Sequence, residues 1–263
     1  MRRFNKEEID LILNLRKENK SLFEICKILN VSRMNKSSVY YHLRKNFGRS
    51  FKLVRINGSN VNFIGEIIGV FASDGNAVPK ADYQIRFYLS SDEEYYAHSL
   101  TELLEKTFNK KPYLYKTHNE IIIRYKSKKI YNFLLKFLRW EGKKTYTIRL
   151  ATLTHDLQFL IGFLRGYFDG DGYATKDYRN MEFVTTSKLM AKQIFEIISV
   201  LSVHPHLYVY QDKRKNRRIC YYVKIRGENA VKLINLISPR NPKRVRDWAH
   251  SIAWSSIPAT IVK

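Results

Sequence analysis

Apolar and polar positions along this chain follow two periods, and the switches between them predict its elements. Through residues 5–47 apolar residues recur at three- and four-residue spacing, which predicts three short helices. Asn5, with Glu7 and Glu8 behind it, would cap a first helix carrying Ile9, Ile12, Leu13 and Leu15 up to about Glu18. Ser21 and Glu24 have capping-box spacing and open a second, with Leu22, Ile25, Cys26 and Leu29 inward. After a turn at Asn30-Val31-Ser32, a third helix over about 35–46 buries Val39, Tyr40 and Leu43. It leaves Lys36, Ser37, Ser38, Tyr41, His42, Arg44 and Lys45 on its other faces. Residues 49–60, with Gly58, Ser59 and Asn60, read as a linker holding a small strand at 51–56.

From Val61 one pattern runs through twice. A helix with small residues at every fourth position is followed by a strand at 83–89, a helix at 92–108, a hairpin of strands at 111–117 and 120–126, and a helix at 128–138. The second pass has a helix ending at Phe168, an extended stretch at 178–185, a helix at 188–201, strands at 207–211 and 219–226, and a helix at 228–237. Two weakly similar α+β halves are what an internal duplication leaves. The resulting division is a three-helix domain at 1–48, the linker at 49–60, a first half at 61–142, a connector at 143–154 and a second half at 155–240. Residues 241–263 form a basic tail or helix, with Trp248 and Trp254 as its anchors.

The head of each half carries the sharpest signal. Gly65, Gly69 and Ser73, and 97 positions later Gly162, Gly166 and Gly170, fall in the same phase, each series followed by an Asp-Gly pair, Asp74-Gly75 and Asp171-Gly172. Spacing of four places small residues along one helix face, where another backbone can come close. The obvious partner for each helix is the other. Crossed along that line they bring Asp74 and Asp171 to one end, where like carboxylates repel unless a cation lies between them. Hard oxygen ligands favour Mg2+ or Ca2+, with Mn2+ as a substitute.

Charge changes the picture next. A net charge of +23 over 263 residues, spread along the chain, predicts an extended basic surface with nucleic acid as its leading partner. Two cysteines, Cys26 and Cys220, are too few for a disulfide framework and fit a reducing compartment. His204-Pro205-His206 reads as a strand entry rather than a zinc site. No apolar run approaches the roughly 20 residues of a membrane span, so the expectation is a soluble, intracellular protein of the cytoplasm, nucleoid or an organelle.

The stretches 67–75 and 164–172 resemble the two nine-residue signatures of a single-chain LAGLIDADG homing endonuclease. The second fits well; the first departs at Ala72, where the family usually has an acidic residue, and at Ser73, where Ala or Gly is usual. Residues 5–47 resemble a helix-turn-helix module, whose third helix would enter a major groove with Lys36, Ser38, His42 and Arg44.

The LAGLIDADG resemblance implies two pseudo-symmetric αββαββα halves packed through their motif helices, and a monomeric, metal-dependent endonuclease that makes a staggered double-strand break. Its metal ligands map to Asp74 and Asp171, with the carbonyls of Ser73 and Gly170. Lys126 and Arg226 match places where family members often keep a basic residue, and Ser91 and Thr186 places that often hold a water-ordering group. Mg2+ is the implied cofactor, with Mn2+ substituting. The partner is double-stranded DNA with a long, pseudo-palindromic or asymmetric target. Strand parity turns Gln84, Arg86, Tyr88, Arg124 and Lys224 outward, and the tip between the last strands adds Lys213, Arg214, Lys215 and Arg217. Two other readings belong to the same resemblance: a transcription regulator whose LAGLIDADG-like domain no longer cuts, and an RNA intron maturase. Retention of both aspartates favours the enzyme.

Overall fold

Reciprocal capping boxes start the first two helices. Asn5 caps α1 (Lys6–Lys17) by accepting from the Glu8 amide while the Glu8 carboxylate accepts from its own, and Ser21 and Glu24 do the same for α2 (Leu22–Ile28). With α3 (Lys36–Phe47) they enclose a core of their own around Ile12, Ile25, Val39 and Leu43. This computed structural model describes residues 3–18, 20–48, 54–153, 156–174, 180–211 and 219–244.

The three-helix unit is docked on the first of the two larger halves. Arg44 on α3 pairs with Asp82 at 3.1 Å, and Lys128 donates through Nζ to the Lys45 carbonyl at 3.1 Å. The strand expected at 51–56 is absent from its described part, 54–56; the rest lies outside the described residues. Val54 instead joins the main core, and the Asn57 amide donates to the Thr107 carbonyl.

The first half comprises α4 (Val61–Asp74), β1 (Gly75–Val78), β2 (Gln84–Ser90), α5 (Glu94–Phe108), β3 (Tyr113–Lys116), β4 (Glu120–Lys126) and α6 (Lys128–Phe137). A connecting stretch continues with β5 (Leu138–Arg139), α7 (Lys144–Thr147) and β6 (Arg149–Leu150). The second half repeats the order as α8 (Leu157–Asp171), β7 (Gly172–Ala174), β8 (Asn180–Thr185), α9 (Lys188–Val200), β9 (His206–Tyr210), β10 (Cys220–Arg226) and α10 (Glu228–Ile237). This is the αββαββα pair in an α+β fold. Each half has a four-stranded antiparallel sheet, ordered β1-β2-β4-β3 and β7-β8-β10-β9. The strands β1 and β7 carry no legible alternation, because each is three or four residues long and opens on glycine.

One face of each sheet is apolar. Ile85, Phe87, Ile121, Ile123 and Tyr125 in the first half, and Met181, Phe183, Val223 and Ile225 in the second, join the motif helices in one core across both halves.

That core is shared because α4 and α8 touch backbone to backbone. A Cβ placed on Gly65 would overlap the carbonyl oxygen of Phe159, and one on Gly69 that of Phe163. Reciprocally, Gly162 lies against the carbonyl of Asn62 and Gly166 against that of Glu66. Glycine inside a helix costs about 1 kcal/mol relative to alanine, so four of them are explained only by this approach. Gly75 and Gly172 are required for a different reason: both are extended, and the ring of Phe71 or Phe168 occupies the space of a Cβ.

Candidate active site

The crossed helices end together. Asn60 caps α4 and Asp156 caps α8, each accepting from the amide three residues on, so both helices start at matched points and deliver Asp74 and Asp171 to the same end. The Asp74 carboxylate reaches across to the opposite helix: a Cβ on Gly170 would stand 2.5 Å from its Oδ2. Beside the pair opens a cleft of about 210 Å³ lined by Ser73, Lys144, Tyr167, Asp171, Thr185 and Thr186.

The two acids are held at the edge of water. Burial, then the charge of Asp171, raises Asp74 from the ordinary carboxylate range to about 7, against the pull of Arg244 and Lys144. Asp171 still reaches solvent, yet partial desolvation raises it as well, with Lys144 and Arg244 opposing. Lys144 is in turn lowered to about 8 by desolvation.

The two cations are placed alike. Lys144 Nζ donates to the carbonyls of Ala72, at 2.9 Å, and Ser73, at 3.3 Å, in the last turn of α4. Arg244 donates to the carbonyls of Asp169 and Gly170, the equivalent residues of α8. Each cation stands beyond the last helix of its own half, 70 and 73 positions after that half's aspartate.

Comparison with known families adds the deciding observation. Residues 158–238 match the family model described as LAGLIDADG-like domain, and residues 65–141 match that of the WhiA LAGLIDADG-like domain. The chain is a two-motif LAGLIDADG protein. Its fold is that of the homing endonuclease I-DmoI. A structure of mesophilic variants of that enzyme has a TM-score of 0.52 at 15% identity, covering 68% of this chain and 97% of that one. I-DmoI in complex with DNA and Mn gives 0.51 at 13% identity, with 68% and 97% covered. A variant with its target DNA in the presence of Mg gives 0.51 at 14%, with 69% and 98% covered. By sequence, 188 residues are 23% identical to an ATP-dependent DNA helicase of Thermococcus kodakarensis, which is 68% of this chain but 16% of the helicase.

The donor set of this LAGLIDADG chain suits a hard divalent cation. Among the described residues no three His, Cys, Asp or Glu side chains gather as a metal cage. A cation here would rest on the two aspartates and complete its shell from waters or substrate oxygens, the habit of Mg2+. The carbonyls of Ser73 and Gly170, expected as metal ligands, accept from Lys144 and Arg244 in this structure.

The expected basic pair stands farther along the sheets. Lys126 and Arg226 lie three rungs along their ladders from Ile123 and Val223, which align with Gly75 and Gly172, or about 10 Å away along the sheet. The charges that act on the aspartates are Lys144 and Arg244. In a chain with 47 Lys and Arg, a basic residue at a plausible offset is easily found: the offsets of Lys126 and Arg226 agree with one another as closely as those of Lys144 and Arg244. Thr186 lines the cleft and donates to the Thr145 carbonyl, whereas the Ser91 amide donates to Asn119 in a turn.

The sheet faces supply the rest. Arg86 holds Gln84 at 2.5 Å and Tyr88 at 3.0 Å, and Gln84 is buried. Arg124 stacks on Tyr113 and Tyr115, 4.8 and 5.5 Å from the ring centres. Lys224 is paired with Glu182 at 2.6 Å beside Tyr208 and Tyr222. Lys213, Arg214, Lys215 and Arg217 lie outside the described residues, as do Trp248 and Trp254.

On α3, Lys36 is exposed, His42 is half-buried against Phe4 and Tyr41, and Arg44 is engaged by Asp82. Ser38, expected outward, is 1% exposed, its Oγ unpartnered. Because α1 and α2 both pack on α3, its buried arc is wide enough to take in that position. Glu66 carries no local mark that would single it out as a site residue, whereas Asp169 stands at the acidic signature position that Ala72 lacks in the first copy. Glu66, buried in α4, pairs with Arg165 at 3.0 Å and Arg240 at 3.2 Å, and burial raises it against both.

Proposed function

We propose that this chain is a divalent-metal-dependent DNA endonuclease that makes a staggered double-strand break. The observation that carries the reading is the convergence of Asp74 and Asp171 at the shared end of the motif helices, each half adding its own cation. A bound Mg2+ or Mn2+ would activate water and stabilise the charge developing on a scissile phosphate. Asp74 and Asp171 hold that cation. Lys144 and Arg244 face the same end with donors left for a phosphate oxygen, where a fixed cation lowers the cost of added negative charge. Arg86, Tyr88 and Arg124 on one sheet and Lys224 and Tyr222 on the other offer polar and cationic groups to a duplex laid along the two sheets. Lys36 on α3 adds a contact from the N-terminal unit.

The I-DmoI complexes with DNA and with Mn or Mg support metal use by this geometry. A non-cutting DNA-binding protein is the second reading, favoured by the match of the first half to the WhiA model. Incubation of the protein with plasmid and genomic-library DNA, with and without Mg2+, separates the two. Metal-dependent linear products, lost in Asp74→Asn and Asp171→Asn, are expected. Tight metal-independent binding with no cut on any DNA would sink the nuclease.

A further inference from the structure

The halves hold their cations by different means. Ala72 occupies in α4 the place that Asp169 occupies in α8, 97 positions later. Asp169 is fully buried, and its carboxylate accepts from the backbone amides of Arg240 and Asn241 at 3.0 to 3.1 Å. Asn241, equally buried, returns two bonds through Nδ2, to the Asp169 carbonyl at 2.9 Å and to Glu93 on the approach to α5 at 2.7 Å. Arg240 adds its ion pair with Glu66 of α4, and Lys243 pairs with Asp92 at 3.0 Å. Residues 240–244 are therefore fastened to both motif helices and to the start of α5, and three residues past Asn241 they present Arg244 to Gly170 and the two aspartates. On the first half, Lys144 sits in α7, whose neighbour Thr145 is tied to Thr186, and no acid of α4 stands at position 72.

We propose that Asp169 is a positioning residue: it latches residues 240–244 so that Arg244 stands at the end of α8 beside both aspartates. The inference rests on the nuclease reading. Without the carboxylate the amides of Arg240 and Asn241 lose their acceptor, the segment lifts and Arg244 leaves the site. Asparagine keeps one oxygen for the same two amides.

The test uses the full chain and a supercoiled plasmid carrying a duplex that the wild-type protein selects from a randomised library, in Mg2+. Wild type yields linear plasmid. Asp169→Ala should slow linearisation on the order of 100-fold, with faster hydrogen exchange at the Arg240 and Asn241 amides. Arg244→Ala should slow linearisation as much while hydrogen exchange at the Arg240 and Asn241 amides stays slow. Asp169→Asn should restore the linear product. Wild-type linearisation by Asp169→Ala overturns the proposal. If the wild-type protein cuts no DNA the nuclease reading fails by itself, and hydrogen exchange then judges the latch: unchanged protection of Arg240 and Asn241 in Asp169→Ala overturns it.

Discussion

Gly166 lies beneath the carbonyl oxygen of Glu66 with less room between the two helices than one methyl group requires. The contact obstructed is backbone on both sides, so no side-chain rotation relieves it. Gly166→Ala should therefore destabilise the protein by about 1–3 kcal/mol despite the better helix propensity of alanine. Denaturant unfolding followed by tryptophan fluorescence and by circular dichroism should give coincident transitions, since α4 and α8 belong to one core. An unchanged midpoint would contradict the packing.

Asp74 and Asp171 set the metal dependence. With Asp74 raised to about 7, a divalent cation must displace a proton at lower pH. Mn2+ affinity therefore rises with pH, by up to about tenfold per unit below 7, and levels above it. Calorimetric titration of Mn2+ at several pH values reads this directly. Asp74→Asn should flatten the profile as well as weaken binding; a flat wild-type profile would remove the argument.

Lys144 should matter to rate more than to fold. Replacing it by methionine keeps much of the stem's packing and removes the charge over Ala72 and Ser73. Cleavage is expected to fall about 100-fold, with DNA affinity changed only a few-fold. Lys126→Met, remote from the aspartates, should cost far less. Single-turnover rates on a nicked and an intact duplex would reverse the assignment if the Lys126 variant proved the slower.

Ser38 offers a test of the N-terminal unit. Its hydroxyl is buried without a partner, so Ser38→Ala should leave stability unchanged or raise it by about 1 kcal/mol. DNA affinity should not move. Lys36→Ala, on an exposed position, should weaken binding and lower the salt dependence if α3 meets phosphate. Fluorescence anisotropy across a salt series distinguishes them; weaker binding by the serine variant alone would mean that α3 is presented differently.

Local signals made much of this chain legible. Asn5 and Ser21 with their partner glutamates start α1 and α2 as read, because a capping box needs only four consecutive residues. The two-residue alternation of β2, β4 and β10 placed their core faces, although Gln84, read as outward, is buried, and the repeated glycines with Asp-Gly identified the motif helices. The duplication itself lay open in the sequence, since it is a property of order along the chain.

What the tertiary structure decided were the partners that sequence distance hides. Ser73 and Lys144 are 71 positions apart, and Asp169 and Asn241 are 72; nothing local marks either pair, and 47 basic residues supply many equivalent candidates. The stretch read as a connector holds Lys144, and the stretch read as a tail holds Asn241 and Arg244, because both fold back on the ends of α4 and α8. Periodicity reports which face of an element is buried. It carries no information on which distant loop satisfies the last carbonyls of a helix, and that choice, made by packing, set which cations stand beside the two aspartates.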